Sequence, residues 1–463
     1  MTSGEHKSYL NQDHELPVIT QDISESLRQE LLAGTSLVLR VIQTSDQPVD
    51  SLTPRRHHSH YHASNTLARR ILILVSQNNC FVAGLEAYEF VSLSVDIFAD
   101  LDSGQQQKQQ LYKARGPEIA VDVCIQKLDT TGELSKRMPL ARVLVSGYLR
   151  SLRRYKAALN VPSVGIHLFA RAQPEYLFAK SQKNPGKHIL GDLALIKWWQ
   201  NTVQFALTYA KPAAQHNTSN GLDRGDSTSA TAYCVIPGSA ASEATWFLGR
   251  CDGNDNSNMK LPVECSKQQN QQNTFSASPS VRWIWGLPYI GSVRAHDCVL
   301  QFPDDPITRL LAEPHSDLWS VAMLLEMLSV SEECGSGHRT AYFSASLPLA
   351  PTASTSSPPL PARRIATADQ GSISFEDYDN VLIALFDHEM DFSNTKAALA
   401  SSARLAEVLD SKHSIPVVSI ETAGTSIKPK YDASISENAT GAATTPKIND
   451  LTMVIRKKRK VAK

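Results

Sequence analysis

The chain has 463 residues, of which 42% are hydrophobic, and its 46 lysines and arginines balance 46 aspartates and glutamates. This length suits one elaborated domain or two lobes, and the apolar content is enough for a substantial core. The absence of net charge excludes a global electrostatic field that would draw the chain to nucleic acid or to a membrane surface.

The sequence pattern disfavours several further classes of protein. The N-terminus is polar and no run approaches about 18 apolar residues, so neither a signal peptide nor a spanning helix is predicted. The seven cysteines are scattered and odd in number, without the spacing of zinc ligands. Scattered thiols suit a reducing compartment. We therefore expect a soluble intracellular protein with no metal site.

The first elements predicted are a helix and several strands. Apolar residues near helical spacing indicate an amphipathic helix over residues 19–33, and branched residues from Ser36 onward indicate a strand. Strands over 71–75 and 80–93 are rich in branched and aromatic residues and are expected to pair. Another strand is predicted over 119–127.

A loop over residues 45–68 carries four histidines close together, at positions 57, 58, 60 and 62. Neighbouring imidazoles can chelate a metal, but the segment offers no carboxylate or cysteine partner and lies between turn signals. A solvated loop is the favoured interpretation.

The later part of the chain is predicted to be mostly helical, with one strand. A helix with a basic face is predicted over 139–158, a strand over 164–171 and a strong helix over 191–209. Further helices are predicted over residues 316–327, 375–385 and 394–409.

Three segments rich in Asn, Gln, Ser, Thr and Pro interrupt the chain at about residues 212–231, 252–280 and 347–373. Segments of this composition have too few apolar side chains to fold on their own. We expect a disordered N-terminus over 1–18, one domain over 19–410 with these disordered insertions, and a disordered tail over 411–463. The tail ends in a basic cluster, Arg456–Lys460.

Two adjacent carboxylates, Asp304 and Asp305, stand between two prolines and close to Arg309. Proline fixes φ, so the backbone that carries them has little freedom. Carboxylates held rigidly beside apolar surface are candidates for proton transfer. The competing interpretation is a solvated turn in which the aspartates bond their own backbone.

Cations flank the polar turn at residues 183–186, which leads into the helix predicted over 191–209. Arg171, Lys187 and His188 are placed where a pyrophosphate can bind near a helix N-terminus. The alternative is a hairpin with ordinary surface charges. Trp198 and Trp199 on the helix favour core packing over a cofactor contact.

Six segments resemble, in order, those of the fungal-specific histone H3 lysine acetyltransferases of the regulator-of-Ty-transposition type. They span residues 167–171, 173–178, 183–190, 197–199, 283–289 and 302–309. The resemblance covers about 71–343 and the two late helices. It implies an α/β fold, a single elaborated acetyltransferase domain whose central mixed β-sheet is surrounded by helices. The core is expected to be similar to that of the metazoan coactivator acetyltransferases.

The resemblance also implies a function. Acetyl-CoA is the expected donor, and the expected acceptors are lysines of newly made histone H3, in its tail and on the short helix before the histone fold. Histone chaperones of the nucleosome-assembly and anti-silencing types are expected to present H3–H4 and raise activity. Nuclear localisation follows, with roles in replication-coupled nucleosome assembly and the DNA damage response. No membrane or sequence-specific nucleic acid partner is implied.

Residue roles are carried over by matching the same motifs. The resemblance implies catalytic roles for Asp129, Trp283, Asp304 and Asp305. Trp283 would line the channel of the acceptor lysine and Asp129 would lie near it, while neither Asp304 nor Asp305 is assigned as the general base. The implied contacts to acetyl-CoA are Phe169, Arg171, Tyr176, Lys187, His188 and Arg309.

The chain departs from the family pattern at two positions. Ile307 stands where the family usually carries a self-acetylated lysine, and Leu128 replaces a small residue. An isoleucine cannot be acetylated, so self-activation at that position is lost. A catalytically weakened scaffold that binds histone chaperones therefore stays open as an alternative, as does an acyl-CoA-dependent enzyme with a non-histone substrate.

Overall fold

The computed structural model describes residues 18–31, 33–50, 52, 65–94, 118–134, 138–156, 161, 163–209, 230–240, 242–243, 281–331, 334, 338–349, 372–412 and 415–422. Several sequence predictions lie outside these residues. They concern the N-terminal 17 residues, the histidine cluster, nearly all of the three low-complexity segments and the basic C-terminal cluster.

The helices, labelled in chain order, are α1 (Val18–Glu30), α2 (Leu140–Lys156), α3 (Asp192–Tyr209), α4 (Ala295–Cys298), α5 (Pro306–Leu311), α6 (Val321–Val330), α7 (Phe375–Leu385) and α8 (Thr395–Lys412). The helix predicted over 316–327 is wrong at its start. Residues 316–318 form a 3-10 turn, and α6 begins only after Ser320, whose hydroxyl caps it by accepting from the Met323 amide.

The strands are β1 (Ser36–Thr44), β2 (Gln47–Val49), β3 (Asn65–Gln77), β4 (Cys80–Ser94), β5 (Glu118–Thr130), β6 (Ser163–Ala170), β7 (Thr231–Val235), β8 (Arg282–Trp285), β9 (Ala341–Pro348), β10 (Ser372–Ile373) and β11 (Val417–Glu421). All belong to one sheet with the order β10-β1-β3-β4-β5-β6-β9-β7-β8, and β11 and β2 pair with β1 and β3. The sheet is mixed, because β5–β6, β7–β8 and β1–β10 are parallel while the other pairs are antiparallel. The predicted central mixed sheet is confirmed.

One face of the sheet is covered by α1, α2 and α3. Apolar residues recur along α2 at three- and four-residue intervals, so that Leu144, Tyr148 and Leu152 are buried together. The helix carries the chain from β5 across this face to the parallel strand β6, as a parallel connection requires.

The opposite face is covered in two separate places. At one end α7 and α8 pack on β1, β3 and β4, with Tyr378 and Leu405 fully buried. At the other end α4, α5 and α6 form an apolar cluster that includes Val235 of β7 and Tyr342 of β9. A small cluster around Phe302 lies on the middle of this face, and the cleft described below opens beside it.

The ordered structure continues past residue 410, where the sequence predicted that the domain ends. Strand β11 pairs antiparallel with β1 over five residue pairs, from Ser36 with Glu421 to Arg40 with Val417. Val418 and Ile420 are buried in the main core. The prediction that disorder begins at 411 is therefore wrong for this strand, because its alternating apolar residues cover part of β1 that would otherwise form an open sheet edge.

Ending the chain at Lys412 is expected to destabilise the protein, whereas ending it at Gly424 is not. Burying an aliphatic side chain contributes about 1.5–3 kcal/mol, and ordering the strand offsets part of this. We expect a loss of about 2 kcal/mol for the shorter chain, measured by urea unfolding. Equal midpoints for the two truncated chains would show that β11 adds nothing to stability.

Candidate active site

A cleft of ≈ 320 Å³ opens on the face of the sheet that carries α4–α8. Its floor is made by β5, β6 and β9, and the segments 287–289 and 299–309 lie beside it. Six of the ten residues assigned by resemblance line it, namely Phe169, Arg171, Tyr176, Asp304, Asp305 and Arg309. They come from two segments more than a hundred residues apart, and the sheet brings them together.

The side chains of β6 point alternately to the two faces of the sheet, and those on one face form part of the cleft floor. Even-numbered residues from Val164 to Ala170 are buried in the main core, and the odd-numbered ones between them face the cleft. The strand register sets His167 opposite Cys124 of β5 on one side and Ser344 of β9 on the other. The Phe169 and Tyr342 rings pack at 4.6 Å between centroids and give the cleft an apolar wall.

The Asp-Asp segment forms the start of α5. Asp305 is the N-cap, and its carboxylate accepts from the Ile307 amide at 3.3 Å, with Pro306 in the first turn. Asp304 has a left-handed backbone with φ 58°, and its carboxylate pairs with Arg309 at 2.9 Å. Because the Asp304 side chain is 80% exposed, this pair contributes little to stability.

A hydrogen bond links the floor of the cleft to the Asp-Asp segment. The Gln126 side-chain amide of β5 donates to the Pro303 carbonyl at 3.1 Å, which fixes the Asp-Asp segment against the floor.

Cys124 on the cleft floor is held in its protonated form. Burial and the nearby Asp305 raise the pKa of the Cys124 thiol well above its usual range. This cysteine is therefore a neutral thiol at physiological pH and a poor nucleophile.

A second cavity of ≈ 230 Å³ adjoins the cleft, and Gln173 and Tyr176 line both. It contains three further residues assigned by resemblance, Asp129, Lys187 and His188. Trp198 lines it too, and this partly buried ring also packs against the main core, as the sequence interpretation expected. Trp199 is buried in the core as predicted.

Asp129 and Lys187 form a buried ion pair with 2.7 Å between Oδ1 and Nζ, and their side chains are 4% and 5% exposed. The other carboxylate oxygen accepts from three successive backbone amides, at 2.8 Å from Tyr176, 2.9 Å from Leu177 and 3.2 Å from Phe178. This pair anchors the segment after β6. The Lys187 ammonium faces Asp129, whereas His188 is exposed.

Two glycines let the turn after β5 approach the 184–187 turn. A Cβ on Gly132 would lie 2.4 Å from the Lys187 nitrogen, and a Cβ on Gly186 would lie 2.3 Å from the Gly132 oxygen. Any side chain at either position would force the backbones apart. The two glycines thus permit the contact that brings Lys187 to Asp129.

Tyr176 sits between the two cavities. Its hydroxyl donates to the Arg171 carbonyl and accepts from the Gln173 amide, and burial raises its pKa to about 12. The phenol is therefore neutral at physiological pH and holds the turn that follows β6.

Trp283 lines neither cavity. It lies on β8 in the main core, 6% exposed, with its ring edge against Phe343 at 6.0 Å and its Nε1 donating to Gln204 at 3.3 Å. Phe343 is the strand partner of core-facing Leu168 and belongs to the main core, so Trp283 lies on the face of the sheet opposite to the cleft.

Several cleft residues received no role from the sequence, namely Cys124, Gln126, Lys127, Phe302, Tyr342 and Ser344. The available signal was polar residues at alternate positions inside strands, as in Asp122, Cys124 and Gln126. Alternation shows that such residues share one face, but the sequence does not show which strands are neighbours.

Ile307 is 4% exposed and belongs to the apolar cluster of α4–α6. Replacing it with lysine is expected to cost about 2 kcal/mol, since an ammonium would replace a buried alkyl group. If this lysine becomes acetylated after incubation with acetyl-CoA, the modified protein should melt higher than the unmodified variant. Mass spectrometry with thermal unfolding measures both. An unmodified Ile307→Lys that melts like the parent would show that the position tolerates a charge.

The described residues contain no group of three or more potential metal ligands among His, Cys, Asp and Glu. In the same part of the chain, none of the helices combines the length and apolar character needed to cross a bilayer.

Comparisons with known proteins identify the family of the chain. A family model described as a histone acetyltransferase KAT11-type domain matches residues 156–408. "Histone acetyltransferase rtt109" of Aspergillus flavus is 29% identical over 248 residues, covering 48% of this chain and 41% of that protein. The Schizosaccharomyces pombe protein of the same name is 28% identical over 231 residues, covering 49% and 52%. The chain thus spans about half the length of these curated relatives.

The crystal structure of Rtt109 from Aspergillus fumigatus shares the fold, with a TM-score of 0.57 at 21% identity. The match covers 87% of this chain and 99% of that one. The family model and the two curated relatives confirm the resemblance inferred from the motifs, and the crystal structure confirms the fold. Because the family model covers more than half of the residues, the chain belongs to the KAT11-type histone acetyltransferase family, and the relatives it matches are fungal Rtt109 proteins.

Proposed function

We propose that this protein is a histone acetyltransferase that moves the acetyl group of acetyl-CoA to lysine side chains of histone H3. One observation carries the proposal. The cleft on the sheet face gathers six of the ten residues expected from the family motifs, including both aspartates of the Asp-Asp-Pro sequence.

The residues of the cleft fit acetyl-CoA. Arg171 and Arg309 supply cations for its phosphates, and the packed Phe169 and Tyr342 rings supply an apolar wall for its pantetheine arm. Lys187 is less suited to bind a phosphate, because its ammonium is already held by Asp129. We therefore reassign Lys187 and Asp129 to positioning the segment that follows β6, and keep exposed His188 as a candidate cofactor contact.

Direct transfer is the mechanism that the cleft favours. A lysine ammonium has an ordinary pKa near ~10.4 and must lose a proton before its nitrogen attacks the thioester carbon. Carboxylates at the cleft, Asp304 and Asp305, attract the ammonium. Cys124 is a poor candidate for an acetylated intermediate, because burial keeps its thiol protonated.

The expected acceptors are the H3 tail lysines and the lysine on the helix before the histone fold, presented by histone chaperones of the nucleosome-assembly and anti-silencing types. We assign the protein to the nucleus, to replication-coupled nucleosome assembly and to the DNA damage response. The basic cluster Arg456–Lys460, outside the described residues, has the composition of an import signal and of a contact to acidic chaperone surfaces.

One observation favours the alternative of a catalytically weakened, chaperone-binding scaffold. Ile307 is packed into an apolar cluster, so the position has no lysine that could be acetylated for self-activation. A scaffold would still bind H3–H4 and chaperone but would not turn over acetyl-CoA.

The full chain should be incubated with isotopically labelled acetyl-CoA and H3–H4, with and without a histone chaperone, and the products mapped by mass spectrometry. We expect label on H3 lysines, stimulated by the chaperone, and much less label on the other pair of core histones offered in a parallel reaction. Binding of H3–H4 and chaperone without transfer would favour the scaffold. Efficient transfer to unrelated proteins but not to H3 would instead identify a non-histone substrate.

A further inference from the structure

Three polar side chains at the cleft floor and directly beside it form a hydrogen-bonded chain. His167 Nε2 lies 3.1 Å from Asp122 Oδ1, and His167 Nδ1 lies 3.2 Å from Ser344 Oγ. His167 and Ser344 line the cleft. The three residues come from β5, β6 and β9, so the order of strands in the sheet brings the chain together.

The backbone makes room for this contact at one residue. Gly165 is the strand partner of Asp122 and lies two residues before His167 on the same face. A Cβ at Gly165 would meet Asp122 Oδ1 at 2.2 Å and His167 Nε2 at 2.8 Å. The carboxylate and the imidazole occupy the space that any other residue's side chain would fill.

The three groups are largely shielded from water. The side chains of His167 and Asp122 are 14% and 18% exposed, and the Phe302 ring packs on the imidazole at 5.1 Å. With Asp122 ionised, Nε2 carries the proton and donates to it, which leaves Nδ1 to accept from the Ser344 hydroxyl. The serine oxygen then has lone pairs available to accept from a group in the cleft.

We propose that Asp122, His167 and Ser344 form the proton relay that deprotonates the acceptor lysine. The inference rests on the proposed acetyltransferase function and adds residues to it. Ser344 is the catalytic residue that meets the substrate ammonium, His167 is the proton acceptor behind it, and Asp122 is the positioning residue that holds the imidazole.

Every proton in the proposed transfer step is accounted for. The lysine ammonium gives a proton to Ser344 Oγ while the serine hydroxyl proton moves to His167 Nδ1, so the imidazole becomes an imidazolium paired with Asp122. The neutral amine then forms the C–N bond, the C–S bond breaks, and the second amine proton leaves with the thiolate as free CoA thiol. His167 returns its proton to solvent after product release.

Other titratable groups face the same space and bear on any pH measurement. On β5 they are Cys124 and Lys127, on β6 and the following turn Arg171 and Tyr176, on β9 Tyr342, and on the segments beside the cleft Tyr289, Asp304, Asp305 and Arg309. Burial keeps the pKa of Cys124 well above its usual range and that of Tyr176 at about 12, so neither loses a proton near neutral pH. The two aspartates of the Asp-Asp segment are tested separately below.

The test compares Ser344→Ala, His167→Gln and Gly165→Ala with a matched control, Ser346→Ala. Ser346 is two residues further along β9, on the same face, and exposed. Steady-state rates on H3–H4 are measured across pH, together with acetyl-CoA binding and thermal unfolding. The binding and unfolding measurements show whether each variant keeps its fold and its cofactor site.

General base catalysis typically contributes about 10²- to 10⁴-fold. We expect kcat to fall at least tenfold in Ser344→Ala, His167→Gln and Gly165→Ala, with acetyl-CoA affinity within about twofold of the parent. The dependence of kcat on pH should differ between the parent and His167→Gln, because only the parent has an imidazole to take the proton. Ser346→Ala should match the parent in every measurement.

The outcomes separate the relay from the function on which it rests. If the parent protein transfers no acetyl group to histone, the proposed function fails and the relay with it. If the parent transfers acetyl but Ser344→Ala and His167→Gln match Ser346→Ala in kcat and pH profile, the relay alone is overturned. Should His167→Gln fail to fold, Ser344→Ala, which removes a single oxygen atom, decides the same question.

Discussion

Asp129→Ala is expected to lower the free energy of unfolding by about 3–5 kcal/mol and to abolish acetyl transfer. The carboxylate accepts from three backbone amides of the segment after β6 and from the buried Lys187 ammonium. Removing it leaves a buried cation without its counterion and the three amides without the carboxylate acceptor, which is among the most destabilising kinds of change. The segment that loses its anchor carries Tyr176, which lines both cavities.

The matched control removes the cation instead. Lys187→Met leaves a buried carboxylate that keeps its amide donors, so its cost should be smaller than that of Asp129→Ala. A double-mutant cycle with Asp129→Asn and Lys187→Met should give a coupling energy of about 1–3 kcal/mol. Urea unfolding of the four proteins measures it. Strictly additive losses would show that the two side chains do not depend on each other.

Asp304→Asn combined with Asp305→Asn is expected to lower the rate of acetyl transfer at least tenfold while the protein stays folded. Asparagine caps helices as well as aspartate does, so the start of α5 keeps its N-cap. The Asp304–Arg309 pair is exposed, so its loss costs little stability. The negative charge at the cleft is what the variant removes.

A suitable control is Glu313→Gln, which removes an exposed carboxylate just beyond the same short helix. Transfer rates on H3–H4 and melting temperatures are compared for the two variants and the parent. The double variant should be slow and the control normal, with similar melting temperatures. An unchanged rate in a normally melting double variant would take both aspartates out of the mechanism.

The local parts of the site could be predicted from the sequence. Asp304 and Asp305 do lie where a turn leads into a helix, between the two prolines, and the competing interpretation of aspartates bonded to their own backbone describes what Asp305 does as an N-cap. The alternation of β6 could be recognised as a strand because apolar residues recur at every second position. Both features depend only on neighbours in sequence.

The partners of Asp129 and His167 could not be predicted, because they are distant along the chain. Asp129 and Lys187 are 58 residues apart, and His167 and Ser344 are 177 apart. The sheet order places β9 between β6 and β7, against the order of the chain. No local pattern encodes that insertion, so a single sequence does not identify Ser344 as a neighbour of His167.

At Trp283 the role implied by the matched motif and the position of the side chain in the structure do not agree. The motif aligned it with a tryptophan expected to line the lysine channel, whereas here the ring lies in the core against Phe343. The position two residues later on the same strand, Trp285, is only half buried and packs against the α4–α6 cluster. A matched motif suggests a role for a residue, but whether its side chain can reach the cleft depends on how it packs.

Hydrogen exchange with and without acetyl-CoA tests most directly whether the cleft over β5, β6 and β9 is the acetyl-CoA site. The full chain is labelled in deuterated buffer, alone and with saturating acetyl-CoA, and exchange is followed by peptide mass spectrometry. We expect slower exchange in the segments 171–178 and 299–309, which border the cleft, and no change across α8. Protection confined to α8 or to other segments away from the cleft, with both cleft segments unchanged, would contradict this assignment.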